Sequence, residues 1–264
     1  MILSQGTIVH KTSLAPAWWQ FVVNAPALAP KLIPGQFLML RCGDSSVCYL
    51  RRPIFPQRLS DETFCVLIRP TPDPGLSWLL TQQIGDTLDL IGPLGNGFNL
   101  PNGVNSLLLV SDDQTIAPLL GLVDTAITRN INVTLALGAS RADTLYPATT
   151  LPPAVEFQAA TFDGSAGHHG PITDLLPDLL SWADVVCATG SAKLLQTLKD
   201  KTSIARMGLQ SDFLFGLTLT LTPTIACGTG ACFACGIQTE AGVKLTCTDG
   251  PVFDMAHFNP GGTP

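Results

Sequence analysis

The chain has 264 residues, of which 46% are hydrophobic and only 13% are charged, and its formal net charge is −6. This length favours one large domain or two modest domains with a small additional segment, and the acidic balance argues against nucleic acid as a partner. Soluble domains carry roughly a quarter of their residues as charged side chains, so the low charged fraction predicts that a partner protein or a cofactor covers part of the surface.

Residues 1 to about 100 have the pattern of a small antiparallel β-barrel. Short runs rich in β-branched and aromatic residues alternate with Pro/Gly turns. The predicted strands are Gly6–Lys11, Trp18–Asn24, Gly35–Arg41, Cys48–Arg52, Thr63–Arg69 and Asp86–Ile91, and a short helix is predicted at Leu76–Gln83.

Residues 101–213 change to an alternation of strands and helices. Leu107–Val110 is an apolar run typical of a buried parallel strand, and apolar residues from Ile116 to Ile127 recur at helical spacing. Further strands are predicted at Ile131–Leu137, Glu156–Thr161 and Asp184–Ala188, with helices around Ile172–Trp182 and from Lys193 to Lys199. The alternation predicts an α/β domain with a parallel sheet.

Residues 214–264 form a third segment that carries a cysteine motif. Cys227, Cys232 and Cys235 follow the pattern C-x4-C-x2-C, and Cys247 comes after eleven intervening residues. This is the spacing of a plant-type 2Fe–2S cluster, and the intervening glycines let the backbone fold around the sulfurs. Zinc is an alternative, although structural zinc sites usually combine two C-x2-C pairs. Two disulfides are a second alternative, although such a pattern is typical of small secreted domains.

The remaining four cysteines lie in apolar or strand-like stretches. We expect them to be small buried hydrophobic residues rather than ligands. They are Cys42, Cys48, Cys65 and Cys187.

The order of barrel, α/β domain and cysteine segment resembles the electron-transfer subunit of the B-type (class 1B) dihydroorotate dehydrogenase, a member of the ferredoxin-reductase superfamily. The motifs that carry the resemblance are Leu50–Ile54, Ile91–Phe98, Ala226–Cys235 and Cys247–Phe253. The resemblance implies that the barrel of the flavin-reductase type holds FAD and that the α/β domain is of the NAD-binding type. It also implies that the cluster exchanges electrons with an FMN-containing catalytic subunit in pyrimidine biosynthesis.

The same resemblance implies flavin-binding residues in three segments of the barrel. They are Arg52, Pro53, Ile54, Phe55, Ile68, Arg69, Gly75 and Leu76. The Arg52 guanidinium suits a pyrophosphate, and a surface ion pair is its alternative role. Phe55 stands where the family has a hydroxyl residue that can hydrogen-bond the flavin ring, so we expect a more apolar flavin environment.

Two departures from the family make NAD binding doubtful. Ser111–Thr115 replaces a glycine-rich turn, and Asp112 and Asp113 place negative charge where a helix N-terminus would attract phosphate. The alternative is that Asp113 or Thr115 caps a structural helix. Thr189 stands where the family places a thiol near the nicotinamide.

Two functions remain open on the sequence alone. The first is an electron-transfer subunit, without a substrate site of its own, that uses FAD and a 2Fe–2S cluster. The second is a cluster-bearing relay or scaffold subunit that has lost nicotinamide binding, with or without flavin binding. The chain has neither a signal-peptide pattern nor an apolar run long enough to span a membrane, and we expect it in the cytoplasm.

Overall fold

The structure is a computed structural model that describes residues 1–44, 48–112, 116–205, 213–218, 225–239 and 242–255. Its first unit is a seven-stranded antiparallel sheet with the strand order β4-β3-β7-β1-β2-β6-β5, which confirms the predicted barrel-type architecture. The elements are β1 (Ile2–Ala15), β2 (Trp18–Asn24), a 3-10 helix (Ala29–Lys31), β3 (Phe37–Leu40), β4 (Arg52–Ile54), β5 (Pro56–Arg58), β6 (Thr63–Ile68), α1 (Pro74–Thr81) and β7 (Thr87–Leu94).

Two barrel strands differ from the prediction. Strand β1 is longer than expected because its first half pairs with β7 and its second half with β2, so one long strand serves both neighbours. The strand predicted at Cys48–Arg52 is wrong, since pairing with β3 begins only at Arg52. Before that point the Cys48 thiol bonds to the carbonyl of Leu50 within its own segment.

The second unit is a seven-stranded sheet with the order β11-β10-β9-β8-β12-β13-β16. All of its pairs are parallel except the one between β13 and β16. The elements are β8 (Ser106–Ser111), α2 (Ala117–Thr128), β9 (Asn132–Ala139), β10 (Val155–Thr161), β11 (His168–His169), α3 (Leu176–Leu180), β12 (Val185–Gly190), α4 (Ala192–Ala205) and β13 (Phe213–Thr218), with 3-10 helices at Ala142–Thr144, Ala148–Thr150 and Ile172–Asp174.

The cysteine segment adds a two-stranded sheet and a return to the larger one. Strands β14 (Gly236–Thr239) and β15 (Gly242–Leu245) form a hairpin, and β16 (Val252–Asp254) pairs antiparallel with β13. The division into 1–100, 101–213 and 214–264 stays our proposal. Strand β13 spans the proposed boundary between residues 213 and 214, so its first residue falls in the second domain and the rest in the third.

The barrel and the α/β unit share a hydrophobic core. Trp18 of the barrel is buried against Tyr146, with ring centroids 5.5 Å apart, and its Nε1 donates to the carbonyls of Thr144 and Leu145 at 3.1 Å. Barrel residue Leu67 belongs to the same cluster as the strand and helix residues of the second unit. This contact brings the C-terminal edge of the α/β sheet towards the barrel. Within the described ranges, no helix is long and apolar enough to cross a membrane.

Candidate cofactor sites

The sulfurs of the four motif cysteines form two close pairs. The Sγ atoms of Cys227 and Cys232 are 3.3 Å apart, as are those of Cys235 and Cys247. A disulfide needs about 2.05 Å between its sulfurs, so each pair consists of two free thiols. Two thiol pairs held by one loop and its return strand match the donor set that a 2Fe–2S cluster needs.

Backbone N–H groups point at the sulfurs of this loop. Thr229 N–H donates to Cys227 Sγ at 3.4 Å, and Gly230 N–H donates to Cys247 Sγ at 3.2 Å. Partial burial opposes ionisation of Cys227, but N–H groups from Thr229 and Cys232 outweigh it and lower the pKa to about 6. Burial, followed by the neighbouring Cys235, raises the pKa of Cys247 to about 12. Cys227 therefore forms a thiolate more readily than Cys247.

Glycine is required where the cysteine loop meets the barrel. Gly228 has φ +73°, and a Cβ at this position would lie 2.9 Å from Met39 Cγ and 3.0 Å from Leu94 Cδ1. The loop therefore packs directly on strands β3 and β7. Met39 and Leu94 share a hydrophobic cluster with Cys235 and Cys247.

The segment that follows β15 is hydrogen-bonded both to the cysteine loop and to the barrel. Thr246 donates both its N–H and its hydroxyl to the carbonyl of Cys235 at 3.0 Å. Asn96, in the turn after β7, donates its side-chain amide to the Asp249 carbonyl at 2.7 Å. The Asn96 bond therefore joins the Gly-Asn-Gly turn directly to the Thr-Asp-Gly-Pro segment.

Phe55 connects the cluster end with the interior of the molecule. Its ring lies 6.2 Å from that of Phe37, centroid to centroid. It packs both against the cluster that holds Cys235 and Cys247 and against the core shared with the α/β unit. Phe55, which we predicted to lie beside the flavin ring, therefore packs against the same hydrophobic cluster as Cys235 and Cys247, two of the predicted cluster ligands.

Arg52, Gly75 and Leu76, three of the predicted flavin residues, meet at the first turn of α1. The Arg52 side chain lies against Gly75, where a Cβ would come within 2.8 Å of Arg52 Cγ. Arg52 Nε is 2.8 Å from an oxygen of Asp73, and Leu76 N–H donates to the other oxygen at 2.9 Å. A guanidinium beside a helix N-terminus fits a phosphate, although here Asp73 holds both groups.

The other predicted flavin residues are divided between two places. Pro53 and Ile54 continue β4, where they pair with Met39 and Leu38 of β3. Ile68 is buried in the barrel core, whereas Arg69 lies over the Trp18 ring, 5.2 Å from its centroid. The structure therefore brings Arg52, Gly75 and Leu76 together but directs Arg69 to the contact with the α/β unit.

The crevice at the ends of β8 and β12 is bridged by side chains. Asp112 accepts the Ser191 N–H at 2.8 Å, and the hydroxyl oxygens of Ser111 and Thr189 are 3.1 Å apart. Gly190 permits this approach, since a Cβ there would lie 2.9 Å from Asp112 Cγ. Residues 113–115, including the predicted carboxylate Asp113 and its alternative role as a helix cap, lie outside the described residues.

The predicted buried role of the remaining cysteines is confirmed. Cys42, Cys48, Cys65 and Cys187 are free and buried. Cys187 is fully enclosed in the core shared with the barrel, and burial raises the pKa of its thiol. It therefore does not replace a thiol exposed at the crevice.

Comparison with known proteins places this arrangement in a family. A family model described as the iron-sulfur cluster binding domain of dihydroorotate dehydrogenase B matches residues 222–259. The dihydroorotate dehydrogenase B (NAD(+)) electron transfer subunit of Geobacillus thermodenitrificans (strain NG80-2) is 31% identical over 261 residues, which cover 94% of this chain and 95% of the relative. That of Shouchella clausii (strain KSM-K16) is 33% identical over 259 residues, with the same coverage.

This chain belongs to the electron transfer subunit family of dihydroorotate dehydrogenase B. The resemblance inferred from the four sequence motifs is therefore confirmed. The fold is similar to a solved structure of the NADH-dependent reduced ferredoxin-NADP oxidoreductase, which was studied for flavin-based electron bifurcation. The TM-score is 0.79 and the sequence identity is 26%. The match covers 97% of this chain and 89% of that one, and it confirms the predicted fold.

The chain presents an apolar residue beside its cysteines. Phe233, between Cys232 and Cys235, has φ +57° and is 71% exposed. A bulky residue at positive φ is a backbone outlier, and its exposure next to the exposed Cys232 marks the outer rim of the loop. Val243 of the neighbouring hairpin is exposed as well.

Sequence reasoning missed one residue of this site, Asp73. The run Pro-Asp-Pro-Gly at residues 72–75 has the composition of a turn that leads through an N-cap into a helix. This signal could have placed the start of α1 at Pro74 rather than at Leu76. The ion pair with Arg52 has no local sequence signal, since it depends on β4 and α1 meeting across the barrel.

Proposed function

We propose that this chain passes electrons between FAD and a 2Fe–2S cluster and exchanges them with a catalytic dihydroorotate dehydrogenase subunit. Membership of the family supports the assignment. The observation that carries it is the shared hydrophobic cluster of Phe55, Cys235 and Cys247, which joins the proposed flavin and cluster sites inside one chain. By resemblance the partner contains FMN, and the process is pyrimidine biosynthesis.

Within this proposal, each part of the chain has a physical task. When bound, FAD would take up or release one or two electrons, and the cluster would carry electrons one at a time. Cys227, Cys232, Cys235 and Cys247 would hold the cluster, and the N–H groups of Thr229 and Gly230 would stabilise negative charge on the sulfurs of Cys227 and Cys247. Phe37 and Phe55 exclude water between the two sites.

We also propose that NAD(H) does not bind at the family's usual position. Support comes from the Asp112 carboxylate on the Ser191 N–H and from the buried Thr189 beside it. This hypothesis favours a partner protein as the source or acceptor of electrons. A cytoplasmic location is part of the same proposal, since cluster thiolates persist in a reducing compartment.

Analysis of the purified, anaerobically handled protein tests the cofactor content. We expect iron and acid-labile sulfide in equal amounts, with flavin bands in the absorption spectrum and FAD in an acid extract. A protein with iron and sulfide but without extractable flavin would instead support a flavin-free relay, the candidate favoured by the Arg52–Asp73 pair. Zinc without iron would contradict both functions.

Substitution of one ligand tests the cysteine assignment. Cys235→Ser removes a buried sulfur from the pair with Cys247, so we expect loss of the cluster absorption and greater protease sensitivity of the cysteine segment. Cys65→Ser is the control, because Cys65 is a buried barrel thiol outside the motif, and it should retain full iron content. Normal iron content in Cys235→Ser would show that this sulfur is not a ligand.

A further inference from the structure

Asp73 holds the two groups that are best suited to a phosphate in the barrel. One of its carboxylate oxygens is 2.8 Å from Arg52 Nε, and the other accepts the Leu76 N–H at 2.9 Å. We propose, resting on the flavin role given above, that the Asp73 carboxylate occupies the phosphate position of the FAD site in the flavin-free protein and leaves it when FAD binds. Asp73 would thus set the affinity for flavin.

The charges at this position explain the competition. A guanidinium and the N–H groups of a helix N-terminus both attract anions, and the carboxylate already supplies one. Pro74 has no N–H, so the Leu76 N–H is one of the few donors that the first turn of α1 offers. A phosphate placed beside an ionised Asp73 would meet a like charge in a partly desolvated setting, because the Arg52 and Asp73 side chains are only 24% and 31% exposed.

Helix capping alone does not account for the carboxylate. The cap needs only the oxygen on Leu76 N–H, and asparagine caps helices as well as aspartate does. The second oxygen is directed to Arg52 instead. Gly75 keeps that guanidinium close to α1, because a Cβ would come within 2.8 Å of Arg52 Cγ. The geometry therefore serves the ion pair in addition to the cap.

The test compares wild type with Asp73→Asn as full-length, cluster-loaded proteins. Asparagine keeps the cap but removes the charge, so we expect FAD to bind on the order of tenfold more tightly, measured by quenching of flavin fluorescence. Adding Arg52→Gln should cancel the gain. The matched control is Asp89→Asn, because Asp89 on β7 pairs with the adjacent Arg51 at 2.8 Å, and the FAD affinity of this variant should equal that of wild type.

A second ligand separates this inference from the proposed flavin function. Inorganic pyrophosphate should raise the melting temperature of Asp73→Asn but not that of wild type. If it does so while FAD binds neither protein, the flavin part of the proposed function fails and the competition by Asp73 stands. Equal FAD affinities of wild type and Asp73→Asn, or equal responses to pyrophosphate when FAD binds neither, would overturn the inference.

Discussion

In both of our proposals on phosphate binding, a single carboxylate is the deciding residue. Asp112 accepts the Ser191 N–H just before α4, and Asp73 accepts the Leu76 N–H in the first turn of α1. In both places a side chain of the protein itself bonds a donor at the start of a helix, where ligand anions are commonly held. Asp112 and Asp73 lie at different sites, but in both proposals a carboxylate opposes phosphate binding by like-charge repulsion.

The role of Asp112 can be tested with two substitutions. Asp112→Gly removes both the charge and the acceptor of Ser191 N–H, so we expect NADH to bind on the order of tenfold more tightly than to wild type. Asp112→Asn keeps an acceptor oxygen and should gain less. Titration of NADH against the flavin-loaded protein measures the affinities. Micromolar binding of NADH to wild type with rapid flavin reduction would show that our reading of this crevice is wrong.

Sequence reasoning reached the cysteine site more fully than the flavin site. The ligand set was predicted because Cys227, Cys232 and Cys235 lie in one short loop with a fixed spacing, so the geometry is local. The ion pair between Arg52 and Asp73 was not predicted, because only the folding of the barrel brings these two residues together. The assignment of individual ligands and flavin residues remains a prediction until cofactor binding is measured.

Among the elements, the starts of β8 and β12 are joined by one carboxylate. Asp184 accepts the N–H groups of Asn105 and Ser106 at 2.8 and 3.0 Å. These bonds, that of Asn105 foremost, lower the pKa of Asp184 although burial opposes the shift. A lowered pKa means that its contribution to stability is complete above the unfolded-state pKa, about 3.9, and is lost as the pH falls through the folded-state value.

We therefore expect Asp184→Ala to lower the free energy of unfolding by about 1 kcal/mol. The difference from wild type should stay constant between about pH 8 and pH 5, because Asp184 is ionised throughout this range in both states. Urea denaturation across the range measures it. Asp143→Ala, at an exposed carboxylate paired with Arg141, is the control and should change little. A difference that shrinks above pH 5 would contradict the lowered pKa.

The elements themselves were predicted where their patterns are local. The Trp18–Asn24 strand was predicted with its observed bounds, and the apolar run at Leu107–Val110 lies within β8. Strand β5 was missed because it has only three residues, beginning with Pro56, and so few residues show no alternation of apolar and polar side chains. The helix predicted at Ile172–Trp182 is wrong as a single element, since a 3-10 turn at Ile172–Asp174 precedes the short α3.

For the whole molecule, the exposed rim of the cysteine loop is the surface that we expect the catalytic subunit to cover. Phe233 is 71% exposed and lies two residues from the buried Cys235. An apolar ring that is exposed in the isolated chain is stabilised when a partner removes it from water. Contact there would also bring the partner's redox centre near the cluster.

We expect Phe233→Ser to weaken the complex with the catalytic subunit by at least about tenfold without loss of iron. Binding can be measured by surface plasmon resonance, and iron content reports the integrity of the loop. Phe162→Ser is the matched control, because Phe162 is 65% exposed but follows β10 in the α/β unit. Unchanged affinity of Phe233→Ser would place the interface elsewhere, and equal weakening by both substitutions would point to a nonspecific effect.

The way in which the chain leaves and re-enters its larger sheet has an evolutionary consequence. Strand β13 ends at Thr218 and β16 begins at Val252, and Leu217 lies opposite Val252 in the antiparallel pair. Antiparallel neighbours can be joined by a loop of two residues, so the whole cysteine-bearing stretch takes the place of a short hairpin turn. We expect the pairing of β13 with β16 to survive loss or exchange of this stretch, whereas Met39 and Leu94 of the barrel would lose their contacts with it. Exchange of the cysteine segment between related chains should therefore require matching changes on β3 and β7 but no new strand order in the larger sheet.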